Sequence, residues 1–286
     1  MCQSLASAQT TADTLPSYCQ AIAELHQNQR LIAGWPGVSE REFDSLPITQ
    51  IATDPTPQLS KEEVSIAYVG HSTFRIETPG GLTIATDYSG FAGKDVIPDV
   101  ITMNHAHATH FTVAPDPRIK HVLRGWGSGV PAKHHLSIDD AVIRNVTTDI
   151  NNQWAGYEPD GNSIFIFEVA GLCIGHLGHL HHALNDIHYA EIGRLDILMV
   201  PVDGGMTLNL KDMVAIVERL RASIILPMHW FGPWGLQQFI ENLNSEFPVD
   251  HSGKSSLTAS VRSLPSLPTV VVLQPENGFE LDFGDD

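Results

Sequence analysis

The stretch Val100-Ile101-Thr102-Met103-Asn104-His105-Ala106-His107-Ala108-Thr109-His110 decides the fold, because it joins a short apolar run to three closely spaced histidines. The apolar residues predict a buried strand, and the histidines follow directly at its end. Residues two positions apart in an extended chain point to the same side, so His105 and His107 can converge on one metal ion. A turn would bring His110 back to the same point. Neutral imidazole is the most common metal ligand in proteins, so this pattern predicts a metal site.

Two further apolar runs also end in histidine. Residues 172–175 lead into His176 and His179, and residues 224–228 lead into His229. Strand ends that share one edge of a sheet bring their side chains together. For a single histidine, a surface or helix-capping role is the more common explanation. Three separate clusters at strand ends favour a shared site, whose expected members are His105, His107, His179 and His229.

Apolar periodicity predicts short strands and two helices in the remaining chain. The expected strands are 65–69, 72–77, 82–86, 100–103, 142–146, 163–169, 172–174, 197–200, 223–226 and 269–273. Asn185 and Asn209 can cap helices that begin at the next residue. The strands come first in runs and then alternate with helices. This order indicates a mixed-sheet sandwich with outer helices.

The chain divides into two regions at about residue 60. Residues 1–60 are expected to form an N-terminal arm, with a short helix over residues 18–29 followed by a proline-rich connector. Residues 61–286 are expected to form the main domain. Of the three cysteines, Cys173 lies in an apolar run and is predicted to be a buried core thiol, while Cys2 and Cys19 could pair in an exported protein.

Composition limits the partners of this protein. The 286 residues include 33 acidic and 16 basic side chains, for a net charge of −17. Binding to nucleic acid or to an anionic membrane surface depends on Lys and Arg, so neither partner is expected. No stretch is apolar over the roughly 18 residues that a membrane helix needs. We expect a small-molecule substrate and a cytoplasmic location, or a periplasmic one if the natural start lies upstream; the sequence leaves the oligomeric state open.

Residues 64 to about 242 resemble the metallo-β-lactamase superfamily, in particular its ascorbate-lactonase-like branch. The resemblance rests on motifs that follow one another in the family's order and spacing. These are Tyr68-Val69-Gly70-His71-Ser72-Thr73-Phe74, Thr83-Ile84-Ala85-Thr86-Asp87, His105-Ala106-His107-Ala108-Thr109-His110, Gly175-His176-Leu177-Gly178-His179-Leu180, Val200-Pro201-Val202-Asp203-Gly204-Gly205 and Leu226-Pro227-Met228-His229-Trp230. The resemblance implies an α/β fold, the four-layer αββα metallo-β-lactamase sandwich.

The sequence departs from the family pattern at the metal ligands. Thr109 stands where the family has an Asp that binds a second metal, and His179 stands where it has a bridging Asp. The family's third histidine has no counterpart before Asn162, where Asp149 or Asn151 could substitute. Without both carboxylates the charge of two divalent ions is not offset, so one metal is favoured over two.

Spacing and resemblance together assign roles to the candidate residues. The expected metal ligands are His105, His107, His110, His179 and His229. Behind them, His71 and Asp87 are expected to orient a ligand imidazole. His179 is also a catalytic candidate. If His179 binds the metal, Asp149 or Asp203 is the next candidate for the base.

The function expected from this site is that of a metal-dependent hydrolase acting on an ester, a lactone or a related small molecule. Imidazole ligands favour zinc, and Fe, Mn, Ni and Cu are alternatives. Two other functions stay open. One is a metal-binding or redox protein on the same fold, and the other is a degenerate, non-catalytic binding domain.

Overall fold

Two mixed β-sheets form the centre of the protein. The computed structural model describes residues 17–20, 59–152, 156–243 and 245–276. The first sheet contains β1 (Val64–Gly70), β2 (Thr73–Glu77), β3 (Thr83–Ala85), β4 (Val100–Met103), β5 (His121–Arg124) and β13 (Ser256–Ala259). Its order is β13-β1-β2-β3-β4-β5, antiparallel as far as β3 and parallel from β3 to β5.

The second sheet is the larger one, with eight strands. It contains β6 (His135–Ile138), β7 (Ala141–Asn152), β8 (Gly156–Val169), β9 (Leu172–His176), β10 (Ile197–Pro201), β11 (Ile224–Met228), β12 (Val249–Asp250) and β14 (Thr269–Val271). The order is β12-β14-β11-β10-β9-β8-β7-β6. Strands β9, β10 and β11 are parallel, so their carboxyl ends lie at one edge.

The two sheets pack face to face through a shared apolar core. Tyr68, Phe74 and Ile76 of the first sheet belong to the same buried cluster as Phe165 and Phe167 of the second. Strands β9, β10 and β11 are buried along their whole length, as expected for parallel strands covered on both faces. The predicted α/β sandwich of the metallo-β-lactamase type is confirmed.

Three helices lie between β9 and β12 in the part of the chain that the structure describes. They are α1 (Asp186–Ile192), α2 (Leu210–Leu220) and α3 (Pro233–Asn242). Asn185 and Asn209 accept backbone N–H groups of the first turn of α1 and α2, as predicted. Helix α3 was not predicted, since only Leu236 and Phe239 are buried in it and they do not form a long apolar pattern.

The predicted strands are all present, with β7 and β8 longer than expected. The polar ends of these two strands pair with each other, as Asn151 does with Tyr157. The sequence there has no apolar alternation from which that extension could be predicted. Strand β5 was also missed; it begins at His121 and ends at Arg124, so its apolar core is only two residues long.

The N-terminal region is described only at residues 17–20 and 59–60, and most of the predicted arm and helix lies outside the described residues. Cys19 is bonded to Cys173 across 154 residues. Cys173 is buried as predicted, but it is not a free thiol, and the possible Cys2–Cys19 pairing is excluded, because tertiary folding brings Cys19 to Cys173 in the β8–β9 hairpin. Among the described residues, no helix is long and apolar enough to cross a membrane.

Candidate metal centre

The histidines meet where several strands end. His107 and His110 follow β4, His179 follows β9 and His229 follows β11. His71 lies in the turn between β1 and β2, and its carbonyl oxygen accepts a hydrogen bond of 2.7 Å from the His229 backbone N–H. This contact fixes the turn against the end of β11.

Four imidazoles form the tightest group of potential ligands. His71, His107, His110 and His229 each offer one ring nitrogen, and these atoms lie within 4.8 Å of one another. His110 and His229 are completely buried, whereas His71 and His107 are partly exposed. The group therefore opens to solvent on the side of His71 and His107.

His110 and His229 are oriented by buried carboxylates. Nδ1 of His110 donates to Asp87 at 2.7 Å, and Nδ1 of His229 donates to Asp203 at 3.1 Å. In the tautomer with the proton on Nδ1, each Nε2 presents a lone pair, and the two Nε2 atoms lie 3.2 Å apart. Two facing lone pairs repel each other unless a cation or a proton lies between them.

This geometry fits a bound metal. Two ligand nitrogens at about 2.0–2.1 Å from a tetrahedral ion lie about 3.3 Å from each other, close to the separation of the two Nε2 atoms. A carboxylate that accepts from the far nitrogen of a ligand imidazole is the usual support of a metal-binding histidine. The residues present therefore fit a metal, with His110 and His229 as its best-oriented ligands.

His179 lies against the four-histidine group. Its Nε2 is 3.0 Å from Nε2 of His107, and its ring centroid is 4.7 Å from that of His110 and 4.8 Å from that of His229. On the other side, its Nδ1 is 2.7 Å from Nε2 of His181. His179 thus faces the site with one nitrogen and a second imidazole with the other.

Thr109 connects two of the partly exposed imidazoles. Its hydroxyl oxygen lies 2.8 Å from Nε2 of His71 and 2.8 Å from Nδ1 of His107. The residue that replaces the family's carboxylate therefore occupies the site, but as a neutral hydrogen-bonding group. The hydroxyl fixes both rings without adding negative charge.

His105 lies apart from the grouped imidazoles. Its Nδ1 is 2.7 Å from Glu158, and its ring stacks on Trp126 with the ring centroids 4.9 Å apart. The alternation that places residues i and i+2 on one side does not apply here, because β4 ends at Met103 and the chain bends from His105 onward. Its role as a ligand stays a prediction that this geometry does not favour.

The two candidate carboxylate bases have different surroundings. Asp203 touches the site through His229 and also accepts hydrogen bonds from the Thr207 side chain and from the backbone N–H groups of residues 205–207. Asp149 accepts from the Tyr157 hydroxyl at 2.6 Å and from the Asp160 backbone at 3.0 Å. Of the two, Asp203 is the one in contact with a grouped imidazole.

Burial keeps His71, His107 and His179 neutral at pH 7. Burial, reinforced by His229 and His110, lowers the pKa of His71 to about 3. Burial and the same two neighbours lower the pKa of His107 to about 4 and hold that of His179 far below its usual range. Neutral imidazole is the form that binds a metal.

The two orienting carboxylates remain charged despite their burial. Burial alone would raise the pKa of Asp87, but His110, His176 and Asn104 outweigh it and lower that pKa. For Asp203, burial is likewise outweighed by the hydrogen bonds from His229 and Thr207, so its pKa is also lowered. Both carboxylates are therefore ionised, and they act as hydrogen-bond acceptors.

Three residues of the site have a left-handed backbone. The φ angles are 54° at His71, 41° at Asp87 and 55° at His229. Residues other than glycine rarely adopt this conformation, and such residues concentrate at functional sites. The backbone supports the same location for the site as the side chains do.

Sequence reasoning did not anticipate two contacts in the site. His71 was expected behind the ligands, yet one of its nitrogens belongs to the group itself. His181 is not among the predicted site residues, yet its Nε2 contacts His179. His71 lies in the turn between β1 and β2 and His181 lies in the loop after β9, and neither position by itself indicates a contact with the site.

Comparison with known proteins supports the fold. The model of the Beta-lactamase superfamily domain matches residues 65–229, which is more than half of the chain. The chain belongs to the beta-lactamase superfamily, and its sandwich is that of a metallo-hydrolase fold.

Particular relatives carry the name of metal-dependent hydrolases. A UPF0173 metal-dependent hydrolase from Methanospirillum hungatei is 25% identical over 185 residues, covering 58% of this chain and 83% of the relative. Another from Polaromonas sp. is 27% identical over 224 residues, covering 61% and 79%. A solved structure from Thermotoga maritima, described as a proposed Zn-dependent hydrolase of the metallo-beta-lactamase superfamily, is 27% identical with a TM-score of 0.55, covering 73% of this chain and 98% of that one.

Proposed function

We propose that this protein is a metal-dependent hydrolase with one metal ion per chain, acting on an ester, a lactone or a related small molecule. The observation that carries the proposal is the pair of facing Nε2 atoms of His110 and His229, 3.2 Å apart, each backed by a buried carboxylate. The names of the relatives support the hydrolase assignment.

The proposed ligands are His110 and His229, with His107 and either His71 or His179 completing the set. Imidazole binds a metal in its neutral form, and Asp87 and Asp203 are already engaged with Nδ1–H groups. The ligand set therefore brings little negative charge, and a second divalent ion close to the first would be poorly offset. One ion is the stoichiometry that this charge balance favours.

The residues of the site would have different roles in hydrolysis. A bound metal would lower the pKa of its water toward about 7 and polarise the substrate carbonyl. Asp87 and Asp203 hold His110 and His229 in the tautomer that presents Nε2 to the centre. The partly exposed side, at His71 and His107, is where substrate would enter. His179 borders that side, as a ligand or as the base.

Elemental analysis is the experiment that tests the proposal. Protein purified without added metal or a histidine tag should contain about one equivalent of metal, with zinc as the first candidate and Fe, Mn, Ni and Cu as alternatives. His110→Ala should lose that metal. His251→Ala is a matched control, since His251 is an exposed histidine beside β12.

Turnover then separates the proposal from its alternatives. Metal-loaded wild-type protein should hydrolyse members of a panel of p-nitrophenyl esters and lactones, and His110→Ala should not. Bound metal without turnover of any of them would favour a metal-binding or redox protein. Protein that binds no metal at all would point to a degenerate binding domain. Two ions per chain would contradict the charge balance of this ligand set.

We also propose an oxidising compartment for this protein. The Cys19–Cys173 disulfide supports it, because structural disulfides persist outside the reducing cytosol. Alkylation of free thiols before cell lysis, followed by mass spectrometry, should find both cysteines unmodified. Alkylation of both cysteines in the native host would instead indicate a cytoplasmic location.

A further inference from the structure

A cleft with aromatic walls opens beside the histidine group. It has a volume of about 250 Å³ and is lined by Asp203 and residues 231–235, which include Phe231 and Trp234. The Phe231 ring centroid lies 5.3 Å from that of His229 and 5.6 Å from that of His71. Phe231, and Asp203 through its contact with His229, therefore connect the wall of the cleft to the proposed site of hydrolysis.

The aromatic side chains of the cleft are exposed to an unusual degree. Phe231 is 63% exposed and Trp234 is 72% exposed, and Met206 beside Asp203 is 50% exposed. Large apolar side chains grouped at a concave surface mark a binding site more often than chance exposure does. Leaving them in water costs free energy that a bound apolar group would recover.

The charge of the cleft favours a neutral occupant. Among the described residues that line it, none is Lys or Arg, so no cation is available for a phosphate or a carboxylate. Asp203 is the acidic member, and its oxygens already accept from His229, Thr207 and three backbone N–H groups. A carboxylate satisfied in this way has little capacity left for a cationic ligand.

From these contacts we infer that the cleft binds the uncharged, apolar acyl or alkyl group of the substrate, and that Phe231 and Trp234 determine this specificity. The inference rests on the proposed hydrolase function and narrows its substrate class to hydrophobic esters or lactones. The cleft is somewhat smaller than a typical whole-ligand pocket of 300 Å³ or more. It therefore accommodates one side of the substrate, while the scissile bond lies at the histidines.

The test compares two neutral esters in wild-type protein and in Trp234→Ala. Wild-type protein should prefer p-nitrophenyl hexanoate to p-nitrophenyl acetate, and Trp234→Ala should lower that kcat/KM ratio by about tenfold. Metal content should stay at the wild-type level, because Trp234 is a surface residue outside the histidine group. Trp234→Phe should retain most of the preference.

Leu267→Ala is the matched control for loss of an exposed apolar side chain. Leu267 is 54% exposed and precedes β14, beside the start of β11 and far from its carboxyl end. This variant should keep the wild-type ratio. An unchanged ratio in Trp234→Ala, or a wild-type preference for an ester of equal length with a trimethylammonium or carboxylate end, would overturn the inference and leave the hydrolase function standing.

A binding measurement separates this inference from the proposed function. If metal-loaded protein hydrolyses no ester, the proposed function fails on its own. Calorimetry with N-hexylacetamide, an uncharged amide that resists hydrolysis, then tests the cleft directly. Binding that is lost in Trp234→Ala and kept in Leu267→Ala would support the apolar subsite, and binding that is equal in all three proteins would reject it.

Discussion

At the scale of single residues, His179 has two roles that predict different results for one substitution. We expect it to be a ligand, because its Nε2 lies 3.0 Å from Nε2 of His107. His179→Ala should then lose most of its metal, with activity falling in proportion. If His179 is instead a base beside the metal, the variant should keep its metal and lose about 10²–10⁴-fold in turnover. Metal content and kcat measured on one preparation distinguish the two.

The controls for this substitution come from other histidines. His251→Ala should behave as wild type in both measurements, since His251 lies at the surface. His110→Ala should lose metal whichever role His179 has. A His179→Ala protein with full metal and full activity would remove His179 from the site altogether.

At the scale of secondary-structure elements, the turn after β9 places His179 through a close backbone contact. Gly178 has a φ of 61°, and a Cβ there would overlap the side chains of Asn162 and Asn104. Gly178→Ala should displace the turn, so we expect lower metal content together with a loss of at least about 1 kcal/mol of stability. Metal analysis and urea unfolding measure the two effects.

Gly129→Ala is the matched control for this turn. Gly129 has a φ of 80°, and nothing lies within 4 Å of the position that its Cβ would take. The variant carries the same kind of backbone penalty without the overlap. It should lose some stability and keep its metal, whereas equal metal loss in both variants would refute the placing role of Gly178.

The disulfide attaches the N-terminal segment to the second sheet. Cys19 joins Cys173, and the neighbouring Ser17 and Tyr18 donate to Glu168 of β8. Because the closed loop spans 154 residues, removing the bond should lower the free energy of unfolding by about 2–4 kcal/mol. Thermal unfolding of Cys19→Ser against wild type measures this. Reductant should lower the stability of wild type and leave the stability of Cys19→Ser unchanged. Any other pattern would show that the disulfide is not formed in solution.

The elements also show what the sequence could predict and what it could not. Strand ends such as Met103 and Met228 could be located, because buried strands leave continuous apolar runs followed by polar residues. The position of His71 could not be predicted, because it depends on the β1–β2 turn packing against His229. The Cys19–Cys173 pairing could not be predicted for the same reason, because it depends on a tertiary contact that no local sequence pattern indicates.

At the scale of the whole molecule, the lowered pKa values of the imidazoles predict how stability depends on pH. Above pH 6.5 both folded and unfolded chains carry these groups neutral, and no difference arises. Below it the unfolded state binds protons that the folded state excludes, down to about pH 4 for His107 and about pH 3 for His71. Metal-free protein should therefore lose stability steadily as the pH falls from 6.5 toward 4.

Urea unfolding at a series of pH values measures this dependence. Metal-loaded protein should also lose its metal over the lower part of the same range, because protons compete for the ligand nitrogens. His107→Gln, which removes one of the titrating groups, should show a smaller slope of stability against pH than wild type. An equal slope in the two metal-free proteins would mean that other groups control the dependence.

The left-handed backbone at His71 has a consequence for attempts to make the protein more heat-resistant. His71 is only partly buried, and its conformation is one that glycine adopts at about 1–2 kcal/mol lower cost than other residues. His71→Gly should therefore unfold at a higher urea concentration than His71→Ala. A selection that rewards thermal tolerance alone would enrich glycine at this position and discard an imidazole of the metal centre, so any such screen has to assay turnover in every round.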